Sequence, residues 1–186
     1  KSLHSFRPKK ATFTIETDGS LEEVGFLVKK IGPDGVSETC YGGGAVSIAQ
    51  YGFLSDSRYQ NTSEFIGAIM GIIALVKMGG RDVGIKLKGD SVTALKWGRE
   101  DKIKGEEALN AGIVMSAICV RYGIEIVDTD FQKGVDNWRA DLMSRREAKG
   151  WTVRGVLDWI GCHNAEAVDI QQDPAGAALI KACNPK

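Results

Sequence analysis

Four carboxylates in this 186-residue chain stand where acid chemistry could gather. Asp18 ends a run rich in β-branched residues, Ala11 to Thr17. Glu64 opens an apolar stretch behind Asn61-Thr62-Ser63, Asp90 follows Val83 to Lys88, and Asp141 lies early in a helical pattern that begins at Asn137. If the first and fourth strands are parallel neighbours, Asp18 and Asp90 emerge side by side at the carboxyl edge, where α/β sheets gather ligands. Glu64 and Asp141 would lie near helix N-termini, where the dipole favours anions. Four acids at one edge repel each other, so without a cation at least one pKa rises or the site loosens. Hard, oxygen-seeking cations, Mg²⁺ or Mn²⁺, are the natural compensation. Two such ions about 3.5–4 Å apart can activate a water and stabilise the leaving oxygen in phosphodiester hydrolysis. That scheme needs no histidine, which suits a chain whose only histidines are His4 and His163. Taken singly, an Asp after a strand is usually a turn residue or a helix cap. The joint placement is what points to a site.

The elements that must position these acids are legible in outline. Ala11 to Thr17, Val24 to Ile31 and Val36 to Ile48 read as three strands of an antiparallel meander, the last bulged at its glycines. Gly32-Pro33-Asp34-Gly35 supplies one of the turns. Asn61 to Glu64 carries N-cap formers ahead of Phe65, Ile69, Ile72, Ile73 and Val76 at helical spacing, and Gly79-Gly80 stops that helix. Val83 to Lys88 is a fourth strand, Ser91 to Trp97 a short helix, and Glu106 to Tyr122 a longer one with apolar Leu109, Ile113, Ala117 and Val120. Ile124 to Thr129 is a fifth strand, followed by a helix over Asn137 to Lys149. The order predicts a mixed five-stranded α/β sheet: strands one to three antiparallel, four and five parallel to the first, with helices on both faces. Residues 1–10 read as a basic tether, 11–149 as the domain, and 150–186 as a helical extension of unclear role, with helices near Trp151 to Ile160 and Ala175 to Cys183.

Composition bounds the function. Lys plus Arg is 24 and Asp plus Glu is 24, so bulk positive charge cannot hold nucleic acid. The four cysteines stand singly with no CxxC, which excludes a zinc ribbon or thioredoxin-like motif and reads as free thiols in a reducing compartment. No apolar run is long enough to span a membrane and no secretory leader is visible, so the expectation is an intracellular protein, cytoplasmic or nuclear. The chain begins with Lys1 and is expected to be a piece of something longer.

The neighbours of the acids carry a resemblance. Thr17-Asp18-Gly19-Ser20, Asn61-Thr62-Ser63-Glu64, Gly89-Asp90-Ser91 and Asn137 through Asp141 to Arg145 resemble, in order, the signature segments of the ribonuclease H family. The stretch Lys133 to Arg145 is most similar to the ribonuclease H domain that follows the reverse transcriptase of retrotransposons and pararetroviruses. The resemblance covers about residues 11 to 149. It implies that Asp18, Glu64, Asp90 and Asp141 are catalytic and bind two Mg²⁺ or Mn²⁺ ions. It implies that Gly19, Ser20, Asn61, Ser91, Lys133 and Asn137 border the substrate, with Asn61 at the RNA strand. The implied activity is endonucleolytic cleavage of RNA in an RNA–DNA hybrid, leaving 3′-hydroxyl and 5′-phosphate ends. The implied partner is a covalently linked reverse transcriptase domain.

The sequence also departs from that pattern. Many cellular members carry a His in the loop before the last helix, where this chain has Phe131 to Asp136 with Lys133. Many also carry a basic, Trp-rich helix and loop where this chain has only Gly98 to Gly105. Slower turnover and weak substrate affinity of the isolated domain are therefore expected. Two other functions stay open: a non-catalytic connector of the same fold, and another two-metal nuclease or strand-transfer enzyme. Survival of all four acids argues against the first, and absence of a DxE pair at Asp18-Gly19-Ser20 against an exonuclease. Lys86 and Lys88 read as a solvated strand face. Trp97 reads as core, and Trp138, in the loop bordering the acids, reads first as packing.

Overall fold

The structure, a computed structural model, describes residues 9–99 and 103–184. Most of the expected N-terminal tether, and part of the Gly98 to Gly105 stretch, lie outside the described residues. Three long strands open the chain: β1 (Ala11–Gly19), β2 (Glu23–Ile31) and β3 (Glu38–Ser47). They pair antiparallel in sequence order. The bulge falls just before the glycines, at Tyr41, where the register skips from Gly42 to Cys40. After helix α1 (Gln60–Lys77) come β4 (Gly84–Gly89), α2 (Val92–Arg99), α3 (Glu106–Tyr122) and β5 (Glu125–Phe131). Strand β4 pairs parallel with β1, and β5 pairs parallel with β4. The chain ends with α4 (Trp138–Ser144), α5 (Val153–Trp159), β6 (Glu166–Ala167) and α6 (Pro174–Cys183). The sheet order is β5-β4-β1-β2-β3-β6. It therefore has six strands, not five: the two-residue β6 pairs parallel with β3 at Gly42 and Gly43. So short a strand carries no alternation that a sequence could show.

Helices cover both faces. On one face α1 packs its apolar residues against Ile15, Val24 and Phe26, with α2, α3 and α6 outside it. This makes α1 a helix buried nearly all round, as its composition without a polar face requires. On the other face a smaller cluster joins Leu27 and Ala45 to Met143 of α4 and Val156 and Leu157 of α5. The uncovered part of that sheet carries Lys29–Glu16 and Lys88–Glu38 ion pairs at 2.7 and 3.3 Å, and Lys86 lies within 4.0 Å of Asp128. Lys86 and Lys88 thus face partner carboxylates on the sheet. Among the described residues no helix is long and apolar enough to cross a membrane.

Three expectations shift. Helix α1 starts at Gln60, ahead of the expected cap: Asp56 caps the preceding 3-10 turn by accepting from the Arg58 N–H at 2.9 Å. Glu64 is consequently past the first turn of α1. In α3 the apolar stripe faces outward, with Ile113 61% and Val120 85% exposed. Its inner face is Ala108, Ala111, Gly112 and Met115, the first three small enough to let the helix lie close on α1 and α6. The spacing gives the period, but only packing gives the phase. Helix α4 stops at Ser144 rather than Lys149. Buried Glu23 of β2 accepts from the Glu147 N–H at 3.2 Å and pairs with Arg146 at 3.1 Å, which draws that backbone out of the helical ladder into turns.

The approach of α4 to the sheet depends on Gly25. A Cβ there would collide with Ser144 N and stand 2.7 Å from the Met143 carbonyl carbon, both rigid backbone. Gly25→Ala is expected to destabilise the chain by roughly 1–3 kcal/mol, as overpacking does. Urea unfolding checks this; an unchanged midpoint would mean that α4 is not seated there.

Candidate active site

The register of the parallel pair sets the site. Glu16 lies opposite Lys88, so two residues further on Asp18 lies level with Asp90. Helix α1 crosses the end of β1 and brings Glu64 to the same place. Gly19 permits this contact: a Cβ there would stand 2.8 Å from Ser63 Oγ and 2.9 Å from Glu64 N. Instead the Gly19 N–H donates to Glu64 Oε2 at 3.0 Å. Gln60, one turn before Glu64, donates from Nε2 to the Gly19 carbonyl at 2.5 Å and lies 3.2 Å from Glu64 Oε1. One carboxylate oxygen from each of Asp18, Glu64 and Asp90 lies within 4.8 Å of the other two. Asp18 and Glu64 are buried, and Asp90 is partly buried.

Asp141 stands beside this group, not within it. It lies in the first turn of α4, where Arg145 Nε donates to its Oδ1 at 2.8 Å. Its charge still reaches the group, since it helps to raise the pKa of Asp18 and of Asp90. The other end of α4 makes a direct contact. Ser144 Oγ lies 2.6 Å from Asp18 Oδ2 and 2.9 Å from the Asp141 carbonyl.

Electrostatics follow from burial. Desolvation pushes Glu64 up to about 9, helped by the charges of Asp18 and Asp90 and opposed by the bonds from Gln60 and Gly19. Desolvation pushes Asp18 up to about 7, with Ser144 pulling it down and Asp90 and Asp141 pushing it further up. Asp90 is raised as well, chiefly by desolvation. Three oxygen donors held this close, all reluctant to ionise together, fit a hard divalent cation. Among the described residues no Cys or His belongs to the cluster, and an all-carboxylate donor set suits a hard cation.

The other residues singled out in the sequence separate into two groups. Asn61 is exposed at the start of α1 and accepts from Ser91 Oγ at 3.1 Å, so the two border the acids together. Lys133 is exposed in the loop after β5, and its neighbour Gly134 lies close to Asp90. Ser20 is occupied in the β1–β2 turn, where Oγ accepts from the Glu23 N–H at 2.9 Å. Asn137 is buried, and its Nδ2 donates to the Thr17 carbonyl at 3.1 Å, tying the start of α4 to β1. Behind the acids a cavity of about 750 Å³ opens, lined by Gly19, Ser20, Glu23, Gln60, Ser144 and Arg145.

Sequence reasoning missed Gln60, Ser144 and Arg145. Arg145 was within reach, because a cation four residues after an acid on a helix is a readable pair. Ser144 falls inside the Asn137-to-Arg145 segment, but its contact with Asp18, like that of Gln60 with the Gly19 carbonyl, joins distant parts of the chain.

Comparison with known proteins gives the class. No family model matches the sequence, and no curated protein does. Among solved structures, ribonuclease H1 from the halophilic archaeon Halobacterium salinarum superposes with a TM-score of 0.51 at 18% identity, over 74% of this chain and 98% of that one. The protease–reverse transcriptase of prototype foamy virus superposes with a TM-score of 0.50 at 11% identity, over 77% of this chain and 22% of that one. The chain has the ribonuclease H-like fold.

Two outcomes test the electrostatics. Ser144→Ala removes a hydrogen bond that favours charged Asp18, so the Asp18 carboxyl should titrate above about 7 in the chelated protein, read by carboxyl-carbon NMR. A midpoint that stays or falls contradicts the contact. Asp18 and Glu64 both hold protons more tightly folded than unfolded. The folded chain thus binds more protons between the ordinary carboxylate range and pH 9, and metal-free stability should fall as pH rises across that window. Thermal unfolding in chelator at pH 5, 7 and 9 measures the slope, which should flatten in Glu64→Gln.

Proposed function

We propose that this chain is a divalent-metal-dependent nuclease that hydrolyses the RNA strand of RNA–DNA hybrids. The observation that carries the reading is the meeting of Asp18, Glu64 and Asp90 oxygens within 4.8 Å at the carboxyl edge of a ribonuclease H-like sheet. Asp18, Glu64 and Asp90 would hold two Mg²⁺ or Mn²⁺ ions, with Asp141 completing the site from α4. When bound, such ions lower the pKa of water and neutralise charge on the leaving oxygen. The protein's part is to fix the donors. Gly19 N–H and Gln60 orient Glu64, Ser144 orients Asp18, and Arg145 holds Asp141 at the rim. Asn61 and Ser91 lie where the RNA strand would pass, and exposed Lys133 offers a cation on the far side of Asp90.

The products would carry 3′-hydroxyl and 5′-phosphate ends. Residues 11–149 form the catalytic unit in this reading, and a retroelement reverse transcriptase linked in the same polyprotein would supply most of the substrate affinity. The net charge of zero supports that division of labour. A connector without catalysis is disfavoured, because two buried carboxylates and a half-buried third would only destabilise it.

Glu64→Gln and Asp90→Asn should each lower cleavage of a labelled hybrid by roughly 10²-fold or more, as loss of a preorganised electrostatic group does, with the folded far-UV spectrum retained. Mg²⁺ or Mn²⁺ should support cleavage, whereas chelator should abolish it and Ca²⁺ support little. Near-normal activity in either variant, or cleavage in excess chelator, would refute the reading. The same assay on double-stranded and single-stranded RNA reports the substrate class.

A further inference from the structure

Helix α3 leaves an apolar stripe uncovered. Leu109, Ile113 and Val120 stand on its outward side, with small, exposed Ser116 and Ala117 between them. Leu109, Ile113, Ser116 and Val120 follow one another in alternating steps of four and three residues, the seam along which two helices pack side by side. Among the described residues no other element exposes more than one large apolar side chain. Beside the stripe a groove of about 370 Å³ opens toward α2, lined by Trp97, Ile103, Leu109 and Ile113. None of these residues lines the acid cluster or the cavity beside it. A contiguous apolar surface of this kind marks a contact with another chain.

Shape and charge decide which chain. Val120, toward one end of α3, is the most exposed large apolar side chain among the described residues, at 85%. The groove lies toward the other end, beside Leu109. A protrusion and a recess at opposite ends of one helix fit a copy of that helix running the opposite way. Exposed Glu106 stands in the first turn and exposed Arg121 in the last. When Val120 is set level with Leu109 of a second, antiparallel copy, Ile113 comes level with small Ser116. In that same register Arg121 lies within about 3 Å of Glu106 along the axis, at a rise of 1.5 Å per residue. A parallel pair would instead set Glu106 against Glu106 and Arg121 against Arg121. We propose that α3 is a self-association surface, through which two copies of this chain pair antiparallel about a twofold axis, each Val120 seated in the groove beside the other copy's Leu109. Such an isologous contact is closed and stops at two chains. The stripe is only about 20 Å long, small for a stable dimer, so a dissociation constant of about 10–100 µM is expected. The proposal is independent of the nuclease reading.

The test is sedimentation velocity of the full chain over a concentration series of about 1–500 µM, which brackets that constant. The weight-average mass should rise from one chain toward two. Ile113→Asp should weaken association by about 10-fold or more, as loss of a central apolar anchor does. Its circular dichroism should match the parent, because the side chain points outward. Glu106→Arg and Arg121→Glu should each weaken association about 3- to 10-fold, since each sets like charges against one another at both ends of the pair. An equimolar mixture of these two variants should recover the parent's association, because only an antiparallel pair of one chain of each kind brings opposite charges together at both ends. A parent chain that stays single to the top of the series overturns the proposal in favour of a different protein as the cover of α3. Association that survives Ile113→Asp, or a mixture that associates no better than its components, overturns it too.

Discussion

Desolvation of Asp18, Glu64 and Asp90, sharpened by repulsion among neighbouring acids, is the constraint around which the structure is arranged. Buried carboxylates that share one small volume cannot all ionise without help. The fold accepts this cost in a particular way. Asp18 and Asp90 are carried on adjacent parallel strands whose hydrogen bonds fix their level, and Glu64 is carried on the most buried helix of the molecule. None of these elements can yield to the repulsion without unpairing the sheet or opening the core. The strain is therefore held in the protonation state of the acids and not in the backbone. The hydrogen bonds from Gly19, Gln60 and Ser144 oppose it only in part.

The second layer of control comes from the opposite face of the sheet. Helix α4 is short because buried Glu23 captures the Glu147 N–H, and its position is set by bare backbone against Gly25. Its two ends meet different neighbours of the site. Asn137 ties its start to β1, while Ser144 at its end touches Asp18. Asp141 between them is left at the rim, paired with Arg145. A close-packed trio and a more exposed fourth acid is an asymmetric arrangement, and it leaves Asp141 open to solvent.

Much of this was readable in the chain. The β-branched alternation of Ala11 to Thr17 and the apolar repeat from Phe65 to Val76 name their elements through periods of two and about 3.6 residues. The short motifs around Asp18, Glu64, Asp90 and Asp141 point to one edge of the sheet. What escaped was whatever depends on contacts between distant segments. The stripe Leu109, Ile113, Val120 has the right period for α3 and the opposite phase, because small Ala108 and Ala111 allow a closer approach than large side chains would. The early end of α4 is decided by a glutamate more than a hundred residues away. Ser144 lies in the motif around Asp141, but its contact with Asp18 joins residues far apart in the chain and no local pattern announces it.

The C-terminal stretch looked like an appendage, yet it finishes the sheet. Glu166 and Ala167 run beside Gly42 and Gly43, Val168 N–H donates to the Gly43 carbonyl, and Gln171 grips both backbone groups of Ser47. A chain cut after Gly150 would keep Asp18, Glu64, Asp90 and Asp141 but bare the flank of β3 at its glycines. Such a flank is a template for adding a foreign strand. The C-terminal stretch thus covers the flank of β3 at its glycines, on the side of the sheet away from β4 and β5.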